Sequence, residues 1–491
     1  MRYVIGIDIG TTNTKAVAYT EQGEILESAD ASYPVFADAS GMHELEPTVL
    51  FDAVLSVLLQ VTERRPDEEA VAVGFSCAMH SLVLVDERGK PLTKALTWAD
   101  RRSEVSAERL RNSEAGKRIY RQTGVPIHAM SPLCKLLWLK DECSDLFGRA
   151  ARFISIKEYV WWRFFGKYQV DFSIASATGL LDIRQSDWNA ESLAHAGIHK
   201  GQLSELVSCT HSESALLQPW RSLGFSEEMP FVIGASDGCL ANLGTGAVHR
   251  GETALTIGTS GAVRMATTIP EYDPRERLFS YILTKDLYIS GGATNNGGNA
   301  VQWYANLVFG KERWDMAALD GLVGAADAIE PGCEGLIFLP YLLGERAPVW
   351  DAKAKGVFFG VRSIHDQRHF MRAVIEGVTY SLRQIGASLE ETIGPIQQIH
   401  ASGGFTRSRS WLQMVADVFF KKVRVGDGAD ASAIGAAMLG WIKLGVLEGT
   451  GEAAALVRSG AVYEPDASRH AVYESNYRTF TQLYGRLQDL M

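Results

Sequence analysis

Nowhere in the 491 residues do two cysteines stand at C-x-x-C spacing. The six present (Cys77, Cys134, Cys143, Cys209, Cys239, Cys333) are scattered, which excludes a compact structural zinc site and gives no sign of a disulfide framework. They read as small buried apolar residues. No apolar run reaches the roughly 18 residues of a membrane span. There is no low-complexity tract and no Pro- or Gly-Ser-rich linker, so the parts of the chain are expected to meet directly. Positive charge is not in excess either: 48 Lys+Arg stand against 58 Asp+Glu, for a net −10. That argues against a broad nucleic-acid or anionic-membrane footprint, while still allowing a local basic pocket. Arg2 leads almost at once into a strand carrying Asp8, without the layout of a secretory signal, so the expected location is the cytoplasm.

Several nucleotide-site motifs are missing as well. The Walker pattern G-x-x-x-x-G-K-[ST], the protein-kinase catalytic and Gly-rich motifs and a zinc H-E-x-x-H are absent. The first strand turn has no G-x-G-x-x-G, which weighs against a dehydrogenase.

What is there is an ordinary folded composition, 46% hydrophobic and 22% charged. The length predicts at least two domains, placed at residues 1–245 and 246–491. Strand-like runs (Tyr3–Ile9, Ala70–Phe75, Leu82–Asp86, Phe231–Gly234, Thr253–Ile257, Leu287–Ser290) alternate with helical ones (Pro47–Val61, Leu133–Lys140, Val301–Val308, His369–Thr392, Ser410–Phe420). That alternation predicts an α/β class with helix-covered sheets.

One internal repeat stands out. Ile7-Asp8-Ile9-Gly10-Thr11-Thr12 leads into a return strand, Ala16–Tyr19, and Leu255-Thr256-Ile257-Gly258-Thr259-Ser260 leads into Ala262–Ala266. The copies lie about half the chain apart, which predicts duplicated domains facing each other across a cleft.

Alternate side chains of a strand share a face, so Tyr3, Ile5, Ile7 and Ile9 form one face of the first strand, and Val4, Gly6, Asp8 and Gly10 the other. A carboxylate among apolar residues is costly unless paired, hydrated or near a metal. The glycines beside it leave room for something to approach. Beyond it, Gly10-Thr11-Thr12 offers N–H groups and hydroxyls, and Lys15 a positive charge. That set suits a phosphate tail with magnesium. The plain alternative is a hairpin turn whose Asp8 bonds nearby backbone. Asp237, in Gly234-Ala235-Ser236-Asp237-Gly238, follows an apolar strand and precedes a short helical stretch. It reads equally as a helix N-cap or as an ionised carboxylate able to take a hydroxyl proton. Asn295-Asn296-Gly297-Gly298 and Ser402-Gly403-Gly404-Phe405 are turns ahead of helices, compatible with phosphate but not decisive.

Taken with two long segments, these features closely resemble the FGGY family of carbohydrate kinases along essentially the whole chain. The segments are Met130-Ser131-Pro132-Leu133-Cys134-Lys135-Leu136-Leu137-Trp138-Leu139-Lys140-Asp141-Glu142, and Gly356 through Gly360 and His369-Phe370 to Ala373-Val374-Ile375-Glu376. The resemblance implies two duplicated actin-like ATPase (ribonuclease H-like) domains with sugar and magnesium-ATP meeting in the cleft. The first would carry the sugar pocket and a phosphate grip, and the second the nucleotide. By motif, Asp8 would hold magnesium through water, and Gly10, Thr11, Thr12, Lys15, Gly258 and Thr259 would grip phosphates. Gly298, Gln302, Gly403, Gly404 and Ser408 would contact the nucleotide, although Ser408 stands where some members have asparagine. Asp237 would be the catalytic base. Met79, His80, Trp98, Arg102 and His128 would contact sugar.

Within the family, Ser76-Cys77-Ala78-Met79-His80-Ser81, Thr97-Trp98-Ala99-Asp100, Gly124-Val125-Pro126-Ile127-His128, Ile156-Lys157-Glu158-Tyr159, Val170-Asp171-Phe172-Ser173 and Gly344-Glu345-Arg346-Ala347-Pro348 are most similar to gluconate kinases. Met79-His80 and the Trp-x-Asp-x-Arg pattern are shared with xylulose kinases and do not discriminate. Gluconate carries a carboxylate, for which Arg102, His80, His128 and Lys157 are the expected partners. The implied reaction is phosphorylation of the terminal hydroxyl of a small sugar acid. Left open are another sugar or polyol, and a non-catalytic actin-like ATPase or sugar sensor. No nucleic-acid or membrane partner is expected, and a homodimer is left open.

Overall fold

The computed structural model describes the whole chain except residues 311–315 and 427–429. Two sheets carry it, each built around the same five-strand unit. The first contains β1 (Arg2–Ile9), β2 (Asn13–Tyr19), β3 (Ile25–Ser32), β4 (Glu69–Cys77) and β5 (Phe231–Ser236), in the order β3-β2-β1-β4-β5, with Ser212–Glu213 on its outer edge. The second contains β6 (Glu252–Ile257), β7 (Gly261–Thr267), β8 (Leu287–Thr294), β9 (Gln398–Ser402) and β10 (Lys422–Gly426), in the order β8-β7-β6-β9-β10. Phe279–Thr284 and Ser459–Tyr463 extend its two ends. In both sheets the first three strands form an antiparallel meander and the last two join in parallel. The sequence repeat is therefore a repeat of topology, and the duplicated α/β architecture expected of the chain is present.

Helices cover the sheets because their apolar residues recur every three or four positions. In α1 (Pro47–Glu63), Leu50, Phe51, Val54, Val57, Leu58 and Val61 are buried, and Pro47 opens the first turn. The helices that position the site follow: α2 (Pro132–Glu142), α3 (Ile156–Phe165), α4 (Asp237–Gly244), α5 (Gly298–Phe309), α6 (Gln367–Thr392), α7 (Arg409–Phe419) and α8 (Ala431–Lys443). The expected strand Leu82–Asp86 is shorter, Val83–Val85, because Leu82 pairs with Leu96 and Asp86 enters a turn closed by the Gly89 N–H. Among the described residues, no helix is long and apolar enough to cross a membrane.

The two faces of β1 have different fates. Tyr3, Ile5, Ile7 and Ile9 enter the core under α1, as the alternation requires. On the other face Val4 joins a second core with Leu240, Leu243, Ala433, Ala437 and Trp441, drawn from α4 and α8. Here the glycines serve a purpose the sequence did not suggest. A Cβ on Gly6 would overlap the Ala433 carbonyl, and one on Gly74 the Ala436 carbonyl. The space beside the strand is thus filled by α8, not left for a ligand. Gly435 of α8 returns the favour toward the Leu240 carbonyl of α4. Trp441 completes the seam, its Nε1–H donating to the Tyr19 carbonyl at 3.1 Å. Because α8 comes from the second half of the chain, this contact ties the halves together. Gly6→Val should therefore cost about 3 kcal/mol by forcing α8 off the sheet. Denaturant unfolding checks this; a loss under about 0.5 kcal/mol would mean the helix can shift freely.

Candidate active site

The repeated hairpins end in equivalent places. Asp8 pairs in register with Ser76 of the adjoining parallel strand, and Ser76 Oγ–H donates to Asp8 Oδ1 at 2.6 Å. In the second sheet Thr256 pairs in register with Ser402, their hydroxyls 2.9 Å apart. The substitution of threonine for aspartate thus leaves one carboxylate on the first side of the cleft and none at the matching point opposite. Past Asp8 the turn closes with the Gly10 N–H donating to the Asn13 carbonyl at 3.0 Å, and Lys15 pairs with Asp430 at 2.8 Å.

Asp237 reaches the same place from β5. Gly234, at φ 69°, breaks the pairing of β5 with β4, and a Cβ there would overlap the Phe75 carbonyl. Ser236 is the N-cap of α4 and Asp237 its first residue, one position beyond the cap expected of it. Its Oδ1 accepts from the Gly238 N–H at 2.7 Å. Burial raises the Asp237 carboxyl above its ordinary range, and the Arg264 charge pulls it back. Asp8 is pushed up to about 7, first by burial and next by the Asp237 carboxylate. The Asp237 charge therefore makes ionisation of Asp8 costlier.

The segments around β5 brace this arrangement. Lys157 on α3 forms a buried ion pair with Asp171 at 2.7 Å and donates to the Ala235 carbonyl at 3.1 Å. Ser173 Oγ accepts from the Ser236 N–H at 3.1 Å. Lys157 is therefore committed to the strand end that carries Asp237 and is not available to a ligand carboxylate.

The residues expected to meet sugar lie beyond β4. Met79, Trp98, Gly10 and Thr11 line one small cavity, which joins the first hairpin to the pocket. His80 stands at φ 68°, a left-handed conformation costly for histidine. Three contacts hold it. Its Nδ1 lies 2.8 Å from the Ala177 carbonyl, its Nε2 lies 3.3 Å from the Tyr281 hydroxyl, and its own carbonyl accepts from buried Lys135 of α2 at 2.6 Å. Burial holds His80 and His128 neutral, the latter pushed down to about 3. His128 Nδ1 accepts from the Met130 N–H at 3.1 Å, which leaves Nε2 as its donor. Arg102 points elsewhere: it pairs with Asp100 at 2.7 Å and Glu44 at 2.5 Å, and stacks over Trp138.

On the opposite side three loops converge. The Gly298 N–H donates to the Gly258 carbonyl at 2.8 Å, and the Gly297 N–H to Thr259 at 3.2 Å. A Cβ on Gly403, at φ 97°, would overlap the Ile257 carbonyl. The tips, Gly258 and Thr259, stay exposed, as do Gln302 and Gly404. Ser408 caps α7, its Oγ accepting from the Trp411 N–H at 3.3 Å, which accounts for a short hydroxyl at that position.

Two residues of the cleft were not among the site residues expected from the sequence. Arg264, a lone charge in the return strand of the second hairpin, lies over Gly238, and a Cβ on that glycine would come within 3.1 Å of its Nε. Arg346 stacks over Trp98 at 4.6 Å, and its Nη2–H donates to the Thr294 carbonyl at 3.1 Å. The strand period could have flagged Arg264, because it shares a face with Ala266, turned toward the core that holds Leu240 and Leu243 of α4, while Val263 and Met265 enter the core behind. Of the ion pairs described here, Lys157–Asp171 is the most deeply enclosed, at 3% and 0% side-chain exposure. Lys157→Met should cost about 3–5 kcal/mol, since Asp171 would be left buried and unpaired. A loss below about 1 kcal/mol in denaturant unfolding would overturn the bracing role.

Comparison with known proteins agrees with this geometry. The model for the N-terminal domain of the FGGY family of carbohydrate kinases matches residues 3–244, and that for the C-terminal domain matches residues 242–444. A gluconokinase of Bacillus subtilis (strain 168) is 38% identical, covering 100% of this chain and 96% of its own. A xylulose kinase of the same organism is 28% identical over 100% and 98%. The crystal structure of a gluconate kinase from Lactobacillus acidophilus superposes with a TM-score of 0.94 at 32% identity, over 99% of this chain and 98% of that one. Two matched halves, each built on a Gly-Thr hairpin and meeting at Asp237, make this chain a member of the FGGY family of carbohydrate kinases.

Proposed function

We propose that the protein transfers the γ-phosphoryl group of ATP to the terminal hydroxyl of D-gluconate, giving 6-phosphogluconate and ADP in the cytoplasm. The observation that carries this reading is Asp237 at the head of α4, with Asp8 facing it at the mouth of the first Gly-Thr hairpin. Gluconate is favoured over xylulose by the higher identity to a gluconokinase. In this reading residues 1–245 carry the sugar pocket and residues 246–491 the nucleotide.

Asp237 accepts the proton of the attacking hydroxyl, and the freed oxygen forms its bond to Pγ as the bond to the ADP oxygen breaks. The raised affinity of Asp237 for a proton suits a base, and the Arg264 charge opposes that rise. Gly10, Thr11, Thr12 and Lys15 from one side, and Gly258 and Thr259 from the other, hold the phosphates through N–H groups, hydroxyls and the ammonium. Gly298, Gln302, Gly403, Gly404 and Ser408 border the nucleotide. Met79, His80, Trp98 and His128 orient the sugar, and Arg102 acts by fixing the Trp98 loop through Asp100. Asp8 fits magnesium: it is an oxygen donor with one hydrogen-bond partner, and no cluster of three or more acid, histidine or cysteine ligands surrounds it among the described residues. When bound, the ion would neutralise charge on the β- and γ-phosphates.

ADP release with magnesium-ATP, comparing D-gluconate, D-xylulose, glycerol and no sugar, tests the proposal. Stimulation by gluconate alone is expected. A response to xylulose or glycerol instead would move the substrate within the family, and silence with all would favour a non-catalytic protein. Asp237→Asn should lower kcat by about 10²–10⁴ while ATP affinity stays within about threefold; near-normal turnover would remove Asp237 from its role. Asp8→Asn deletes a buried like charge, so it should abolish turnover yet raise the melting temperature of ligand-free protein at pH 8 by about 2–4 °C. A lower melting temperature would show that Asp8 is a structural anchor.

A further inference from the structure

Two guanidinium groups converge on the pocket from the second half of the chain, within the field of the Asp237 carboxylate but hydrogen-bonded to no acid among the described residues. Arg264 projects from β7 toward Asp237, and opposite it in register stands Gly291, where a Cβ would press on Arg264 Cα and Cγ at 2.9 and 3.1 Å. Its Nε and Nη1 are buried and have no hydrogen-bond partner. Arg346 is 7% exposed, and its Nε is likewise buried and unpartnered. Neither forms an ion pair among the described residues. Both act on the Asp237 charge and on each other, as well as on Tyr281, whose hydroxyl meets His80. The acid next to Arg346, Glu345, is already satisfied by Thr294 Oγ1–H at 2.6 Å, the Asn295 N–H at 3.0 Å and the Arg346 N–H at 2.7 Å.

Guanidinium nitrogens buried without hydrogen-bond partners destabilise a protein. An anion completing the site would offset that cost. Of the cations expected to serve this purpose, Arg102 is held by Asp100 and Glu44, and Lys157 by Asp171.

We propose that Arg264, flanked by Arg346, is the receptor for the carboxylate of the sugar-acid substrate and sets the preference for sugar acids over neutral sugars. The inference rests on the reading of the site as a gluconate pocket, and it places the selecting charge on the second half of the chain. The substrate would then bridge the halves, its reacting hydroxyl at Asp237 and its carboxylate on the guanidinium groups. A fork of N–H donors matches a carboxylate bidentately, and a CH2OH group in its place leaves the donors unanswered.

D-glucitol differs from gluconate in that one group, so it is the informative comparison. In Arg264→Gln, the Kd for D-gluconate should rise at least 100-fold, whereas the Kd for D-glucitol should change less than about threefold; binding is compared because loss of the charge beside Asp237 would lower turnover of either compound. Arg264→Lys, which keeps the charge but loses the fork, should sit between and also covers the case in which the glutamine variant fails to fold. Equal losses of affinity for both compounds would overturn the proposal. Unchanged gluconate affinity would overturn it outright. A wild-type enzyme that uses D-glucitol or D-xylulose and ignores gluconate would overturn the substrate reading and this inference together. Gluconate specificity with equal losses in the variants would overturn this inference alone.

Discussion

Backbone contact between α8 and the first sheet is the constraint on which the cleft depends. A helix can lie this close to a strand only where side chains are missing or small: Gly6 and Gly74 supply that on the sheet, and Gly440 on α8, where a Cβ would press on Val4. The contact anchors a helix from the second half of the chain against β1 and β4, whose ends carry Asp8 and Ser76. The distance between the two Gly-Thr hairpins is therefore set by backbone geometry, which is stiffer than side-chain packing. Lys15 and Asp430, at the mouth of the same seam, join the first hairpin to the residue just before α8.

Around that frame, buried charge divides into two kinds. Some is neutralised in place and serves only to hold shape: Lys157 with Asp171 steadies the end of β5, and Arg102 with Asp100 and Glu44 steadies the Trp98 loop. Lys135 belongs with these, since its ammonium is spent on the carbonyls of His80 and Met130. At the cleft, charge is left incomplete. Asp8 and Asp237 repel each other, and Arg264 and Arg346 form no ion pair among the described residues. Groups left incomplete in this way cost stability in the free protein and gain partners when substrates arrive, which is how binding energy becomes available for positioning.

The pseudo-symmetry shows how one half was specialised. Asp8 with Ser76 and Thr256 with Ser402 occupy equivalent points of equivalent sheets. In the proposed reaction, a second carboxylate at Thr256 would face the polyphosphate and add repulsion there. A hydroxyl keeps the hydrogen bond and removes the charge.

The alternation in Tyr3–Ile9, the two Gly-Thr turns and the helical periods of α1 and α6 were legible in the sequence because each depends on neighbours within one or two turns of chain. From them came the α/β class, the duplication, and Asp8 and Asp237 as the acids of interest. The family resemblance added the remaining candidates in the same linear way. The partners of those residues were not legible. Lys157 and Arg102 looked like free cations until Asp171, Glu44 and Asp100 were brought beside them, and Gly6 looked like an opening until α8, more than 400 residues later, closed it. Arg264 is the converse: an isolated arginine in a strand is usually a solvent-facing charge, and only the apposition of the two halves buries its Nε and Nη1 without hydrogen-bond partners. Local periodicity thus fixed the elements and nominated the acids, whereas which charges are already spent, and which still await a ligand, was decided by contacts distant in sequence.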